Sequence, residues 1–573
     1  MGDPPRHVEE VTLQKENDKE QNELMVNAAV SEGLAEGDHL LATSEWKAAA
    51  IAFESVLAIQ DDPGAHDGLG RALWWLRDVD RSIAERTIAY AGFRRLGQDS
   101  MAFRSALWLA REYADALGSE AVSRGWLARA ESLASRLPEG VENGWMALTR
   151  GLLQADPAAS YDDARTALGV ARSRGDPDLE AMALALLGLG TIASGNVLDG
   201  MTLVDEAMVV ATAGEVHDQM IFGDVCCMVT RASEEACDTS RLSQWNKTLL
   251  RFMEGTGHPA LLEFCGTCCA EIFLASGDMA NAEGWLTKTL HELDQGGHRA
   301  RCVHPAAKLA ELRLLQGRVE EANRLLAGFE DRPDALRATA AVRLAAGDTA
   351  VAAALLHRRI RRVGSGLLMV PLLALLTEVQ LTQGDLGQAK ATAERLDEVA
   401  VETQWPRSLA ASHLTAGRVA AAAGDVALAR ERLDAAISVF SELDMPLEAA
   451  RAHLSLAEAL RDADRDMAVH EAGVALATFD VVGALGLADQ AAALLRALGG
   501  PARTGPKDLG VLSRREREVL TLLAEALTNT EIAGRLFISA KTAEHHVSSI
   551  LAKLQLRSRG EAAAFALRHS RGE

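Results

Sequence analysis

Aromatic side chains make up only 4% of this 573-residue sequence, and tyrosine occurs three times. So small a supply, beside an abundance of Ala and Leu, argues against a sheet protein and for a long all-helical one. Cysteine is equally limited. The seven are Cys226, Cys227, Cys237, Cys265, Cys268, Cys269 and Cys302, an odd number in one stretch, which argues against a disulfide framework. No apolar run reaches the roughly 20 residues of a membrane span, since the longest, Leu367 to Leu376, is interrupted by Pro371. Residues 1–23 are charged and polar, so no secretory signal is expected there and the chain is read as cytoplasmic, with no membrane partner. Gly-Lys-Ser and Gly-Lys-Thr are absent throughout, so no phosphate loop for a nucleotide is present.

Charge is abundant but uneven. The chain carries a net charge of -22. From Arg503 to Glu573, however, 12 Lys and Arg stand against 8 Asp and Glu, a balance of +4 that leaves -26 for the first 502 residues. A basic tail on an acidic body is the distribution expected of a small nucleic-acid module joined to a body that avoids nucleic acid.

The body shows an internal repeat. Gly followed by Asp or Arg, with Ala five residues after the Gly, occurs at Gly277 and Ala282, Gly317 and Ala322, Gly347 and Ala352, Gly384 and Ala389, and Gly424 and Ala429. Gly in a left-handed cap ends one helix, a polar residue starts the next, and Ala lets the two approach closely. Trp46, Ala49, Phe53 and Leu57 recur at helical spacing ahead of Asp61 to Gly64, and Leu69, Gly70, Ala72 and Leu73 follow. Such helix pairs are those of a tetratricopeptide-like array, expected over residues 27–498 behind a disordered leader at 1–26. Gly499, Gly500, Pro501, Ala502, Arg503, Thr504, Gly505 and Pro506 cannot continue a helix and mark a linker at 499–507.

Residues 508–573 follow a different grammar. Ser513 with Glu516, Thr528 with Glu531, and Ser558 with Glu561 read as capping boxes, and Ser539 offers a fourth cap ahead of Ala540. Val519, Leu522, Leu523, Ala526 and Leu527 lie on one face of the first predicted helix, and Ile532, Ala533 and Leu536 on one face of the second. Only Phe537 and Ile538 separate the second helix from the third cap, as in a helix-turn-helix, and Ala533 and Ala543 permit a close crossing. In the third helix Ala543, Val547, Ile550, Leu551 and Leu554 form a core stripe, which turns Lys541, Glu544, His545 and Ser548 outward as base-edge candidates. Thr542, His546, Ser549 and Lys553 lie on the flanks as phosphate candidates.

These residues resemble the LuxR-type DNA-binding family. Leu512, Ser513, Arg515, Glu516, Arg517, Glu518, Val519 and Leu520 match its opening motif, and Asn529, Glu531, Ile532, Ala533, Leu536, Ile538 and Ser539 its turn. Thr542, His546, Ile550, Lys553, Leu554, Arg559, Glu561 and Ala562 match the rest. The resemblance implies a four-helix domain that binds double-stranded promoter DNA as a homodimer. Its fourth helix offers Ala562, Ala563, Phe565 and Ala566 as dimerisation candidates, and RNA polymerase is a further candidate partner. Ala543, Glu544 and Gln555 depart from the family, which commonly has Val, Lys and Gly there. Glu544 repels phosphate but accepts a hydrogen bond from cytosine N4. A LuxR-type domain on a long helical array also resembles the large regulators of that family, here without their P-loop ATPase module.

Other constellations have plainer readings. Cys265 and Cys268 form a Cys-x-x-Cys with His258, His298 and His304 nearby, yet the paired spacing of a zinc site does not recur, so buried thiols are favoured over a metal or redox sensor. His357, Arg358, Arg359, Arg361 and Arg362 suit a helix C-terminus. Trp46, Trp74, Trp75, Trp108, Trp126 and Trp145 read as core. No catalytic constellation, metal site or cofactor is implied. The expected fold is all-α: a tetratricopeptide-like solenoid that receives a ligand or protein signal, then a four-helix reader. The competing reading is an interaction scaffold or anti-activator without productive DNA binding.

Overall fold

The computed structural model describes residues 6–154, 157–236, 277–364, 366–500, 514–524, 527–536, 540–554 and 558–570, with single positions 241, 244, 245, 267, 270, 273, 274, 512 and 556. Among them there are helices and turns but no strand. Cys237, His258, Cys265, Cys268, Cys269, Pro501 to Pro506, Ser513, Ala526, Phe537, Ile538, Ser539 and Gln555 lie outside the described residues. The chain divides into two compact units, residues 1–494 and 495–573.

In the first unit, helices pack in chain order and alternate helices also touch, as do Asp99–Asp115 with Val141–Leu153 and Met369–Thr382 with Pro406–Ala422. Stacked helix pairs give this pattern, because each pair can bury its apolar stripe only on its neighbours. The Gly-Ala signature builds the turns. Gly277, Gly317, Gly347, Gly384 and Gly424 all have φ between +75° and +87°. Directly after each glycine, the amides of Asp278, Arg318, Asp348, Asp385 and Asp425 donate five residues back, to the carbonyls of Phe273, Arg313, Arg343, Gln380 and Ala420. This closes a Schellman cap over the last carbonyls of the helix. Asp278, Asp385 and Asp425 then accept amide hydrogen bonds that start the next helix. Ala282, Ala322, Ala352, Ala389 and Ala429 are each 0% exposed, as a close helix crossing requires.

Segments remote in sequence also meet within this unit. Trp405 Nε1 donates to the Ala236 carbonyl at 2.7 Å. The Leu367 amide donates to the Ala193 carbonyl at 3.2 Å. Gly366, at φ +86°, lies so close that a Cβ there would sit 1.9 Å from the same oxygen.

The N-terminus differs from expectation. One helix runs from Arg6 to Ala42, across residues expected to form a disordered leader. No Gly or Pro occurs between Arg6 and Glu32, and Glu is the commonest residue of the run, so nothing local stops a helix that packs on Trp46–Ile59 at its far end.

The tryptophans are mainly packing residues. Trp74 and Trp108 are buried, and the rings of Trp46 and Trp75 stack at 4.6 Å. Cys226 and Cys302 are buried thiols and Cys227 is exposed. Burial pushes the Cys226 thiol up, and that of Cys302 up to about 11. Among the described residues no group of three His, Cys, Asp or Glu is placed to hold a metal. The basic run ends the helix Thr349–Val363, where Arg361 and Arg362 occupy the last turn and Arg358 pairs with Asp331 at 2.9 Å.

Candidate nucleic-acid interface

Among the described residues from 512 onward there are four helices: Arg514–Ala524, Asn529–Leu536, Ala540–Leu554 and Arg559–Ser570. Their apolar stripes close one core around Val519, Ile532, Ala543, Ile550, Ala562 and Phe565. Thr528 and Glu531 form the expected capping box: the Thr528 amide donates to Glu531 Oε2 at 2.7 Å, and the Glu531 amide to Thr528 Oγ at 3.3 Å. Those hydrogen bonds favour the ionised form and hold the Glu531 carboxyl below the usual range. At the fourth helix the Glu561 amide donates to Ser558 Oγ at 3.2 Å.

Burying Ala543, Val547, Ile550 and Leu554 determines where the rest of the third helix points. Lys541, Glu544, His545 and Ser548 are all exposed, so the four base-edge candidates share one open face. Thr542 is exposed beside them, and His546 is half-buried.

The other two phosphate candidates are both engaged by one carboxylate, that of Glu516. Ser549 Oγ donates to Glu516 Oε1 at 2.5 Å, and Lys553 Nζ contacts Glu516 Oε1 at 2.9 Å and Oε2 at 2.7 Å. Glu516 is buried, with 4% of its surface exposed, and its carboxylate bridges the first helix to the third. The expected capping box of Ser513 with Glu516 lies outside the described residues, because Ser513 does. A signal for the inward side of Glu516 is present in the sequence, since Glu516 precedes Val519, Leu520 and Leu523 at i+3, i+4 and i+7 on the buried stripe.

The dimerisation candidates pack mostly within the domain. Ala562, Phe565 and Ala566 belong to the domain's own core, and only Ala563 is partly exposed. A four-helix domain this small needs the fourth helix's apolar face to complete its interior. Arg559 has a structural role that sequence reasoning missed: its guanidinium donates to Asn529 Oδ1 at 2.6 Å and to the Leu527 carbonyl, tying the fourth helix to the start of the second.

Residues 510–566 match the family model described as bacterial regulatory proteins, luxR family. Over 59 residues the chain is 51% identical to a transcriptional regulatory protein of Bacillus subtilis, YhcZ, covering 10% of this chain and 28% of that one. Over 76 residues it is 46% identical to the DNA-binding transcriptional activator DevR/DosR of Mycobacterium tuberculosis, covering 13% and 35%. The chain thus spans about a third of the length of these relatives. A solved structure of the APC/C hetero-tetramer Cut9-Hcn1 aligns with 79% of this chain and 95% of its own, at 13% identity and a TM-score of 0.45. Residues 510–566 are a luxR-family helix-turn-helix domain, carried by a chain whose body is an array of stacked helix pairs.

Proposed function

We propose that this protein is a sequence-specific transcription regulator of the bacterial cytoplasm, with a repeat body at 27–498, a linker at 499–507 and a DNA reader at 508–573. The observation that carries this reading is the open row Lys541, Glu544, His545 and Ser548 on a helix whose opposite face is core. A helix with such a row is built to enter the major groove. Lys541 reads guanine O6 or N7, Glu544 accepts from cytosine N4, and His545 and Ser548 supply further hydrogen bonds to base edges. Thr542 and His546 reach phosphate. The body, built of helix pairs as repeat arrays are, receives a ligand or protein signal. Two copies bind a two-fold site on promoter DNA, where RNA polymerase is recruited or blocked.

The test is selection of bound duplexes from a random pool by the full chain, followed by footprinting. Lys541→Ala and His545→Ala should each weaken the selected site by about 1–3 kcal/mol, roughly 5- to 150-fold. Absence of any salt-sensitive duplex binding would favour the scaffold reading, to which the exposed Glu544 lends support.

A further inference from the structure

We infer that Glu516 is a positioning residue that anchors the third helix and withholds Lys553 and Ser549 from phosphate, so that recognition depends on the exposed base-edge row. This rests on the DNA-binding reading above. Both oxygens of the Glu516 carboxylate are engaged, Oε1 by Ser549 Oγ at 2.5 Å and Lys553 Nζ at 2.9 Å, and Oε2 by Nζ at 2.7 Å. The Ser549 hydroxyl has one proton, and it is donated here. Lys553 is 40% exposed along its side chain, but its partner Glu516 is only 6% exposed. For Lys553 to swing toward a phosphate it would give up its contacts with both oxygens of a carboxylate that is almost wholly buried, and breaking a buried ion pair is costly.

DNA binding changes in two ways. The Lys553–Glu516 pair is neutral as a unit, so Lys553 displaces no counter-ion from DNA. Lys541 is then the lysine that the third helix offers outward, with Glu544 opposing it in charge. Non-specific affinity is low, and a larger share of the binding free energy depends on base identity.

The experiment is a salt titration of full-chain binding to a selected duplex and to an unrelated one, with Lys553→Gln, Lys553→Arg, Glu516→Gln and the double variant Glu516→Gln/Lys553→Gln. The slope of log affinity against log salt changes by about 0.9 for each phosphate that the protein newly neutralises or releases. Lys553→Gln and Lys553→Arg should leave the wild-type slope unchanged. Glu516→Gln should steepen it by about one phosphate, raise affinity for the unrelated duplex several-fold and lower discrimination accordingly, and the double variant should restore the slope. A Lys553→Gln slope shallower by one phosphate would overturn the inference, as would an unchanged slope in a folded Glu516→Gln. Should either single variant unfold the domain, the charge-free double variant decides: a wild-type slope supports the inference, and a slope shallower by one phosphate overturns it. Wild-type protein with no duplex binding would instead sink the reading on which the inference rests.

Discussion

Arg301 places its guanidinium 3.7 Å from the carboxylate of Glu112 and 5.3 Å from the ring centre of Trp74, joining parts of the body that are far apart in sequence. Around this contact the Ala300 amide donates to the Ala116 carbonyl at 2.8 Å, and Arg111 pairs with Asp224. Arg86 lies 4.1 Å from the Trp108 ring centre and 3.5 Å from Asp67. Burial raises the carboxyl of Glu112, and Arg301 opposes that rise. Charges in such a seam are stabilising only as a set, since each is largely removed from water.

Removing one member should therefore cost more than removing the pair. Arg301→Ala leaves Glu112 buried without its cation and is expected to destabilise the body by about 2–4 kcal/mol, below the upper range for fully buried pairs because Arg301 keeps some solvent contact. Arg301→Met with Glu112→Leu should recover most of that loss. Thermal unfolding of the three proteins checks the order, and a double variant weaker than Arg301→Ala would contradict it.

His298 should make the body acid-sensitive. Burial first, then Arg301 and Arg77, lower its imidazole from 6.5 to about 3. The unfolded chain takes up a proton below about pH 6.5 and the folded one does not, so stability present above that pH is lost as pH falls toward 3. The loss amounts to roughly 1 kcal/mol per pH unit. Glu112 and Asp115, raised by burial, act in the opposite sense. The diagnostic is thus a difference: between pH 7 and 5 the melting temperature of His298→Phe should fall less steeply than that of the wild type, and parallel curves would refute the assignment.

Two glycines separate backbone strain from steric collision. Gly424 has φ +81° and open space where a Cβ would project, so Gly424→Ala should cost about 1 kcal/mol from conformation alone. Gly366 has a similar φ, but its added methyl would strike the Ala193 carbonyl oxygen. Gly366→Ala should therefore destabilise by several-fold more, of order 3 kcal/mol or above, because backbone must move. Similar melting temperatures for the two variants would show that the 193–366 contact yields freely.

Much of this protein is determined by local pattern. The recurring Gly and Ala positions specify left-handed caps and close crossings, Thr528 and Glu531 specify a helix start, and the spacing from Ala543 to Leu554 decides which face of the third helix is open. Each of these is settled within a few residues by helix geometry and capping, so the sequence alone determined the helix pairs, the four-helix reader and the exposure of Lys541, Glu544, His545 and Ser548. Only the tertiary structure decided that Glu516 holds Ser549 and Lys553, that Phe565 completes the domain's core, and that Arg301 meets Glu112. Those outcomes depend on which helices pack together, and contacts between remote segments leave no period in the sequence from which to read them.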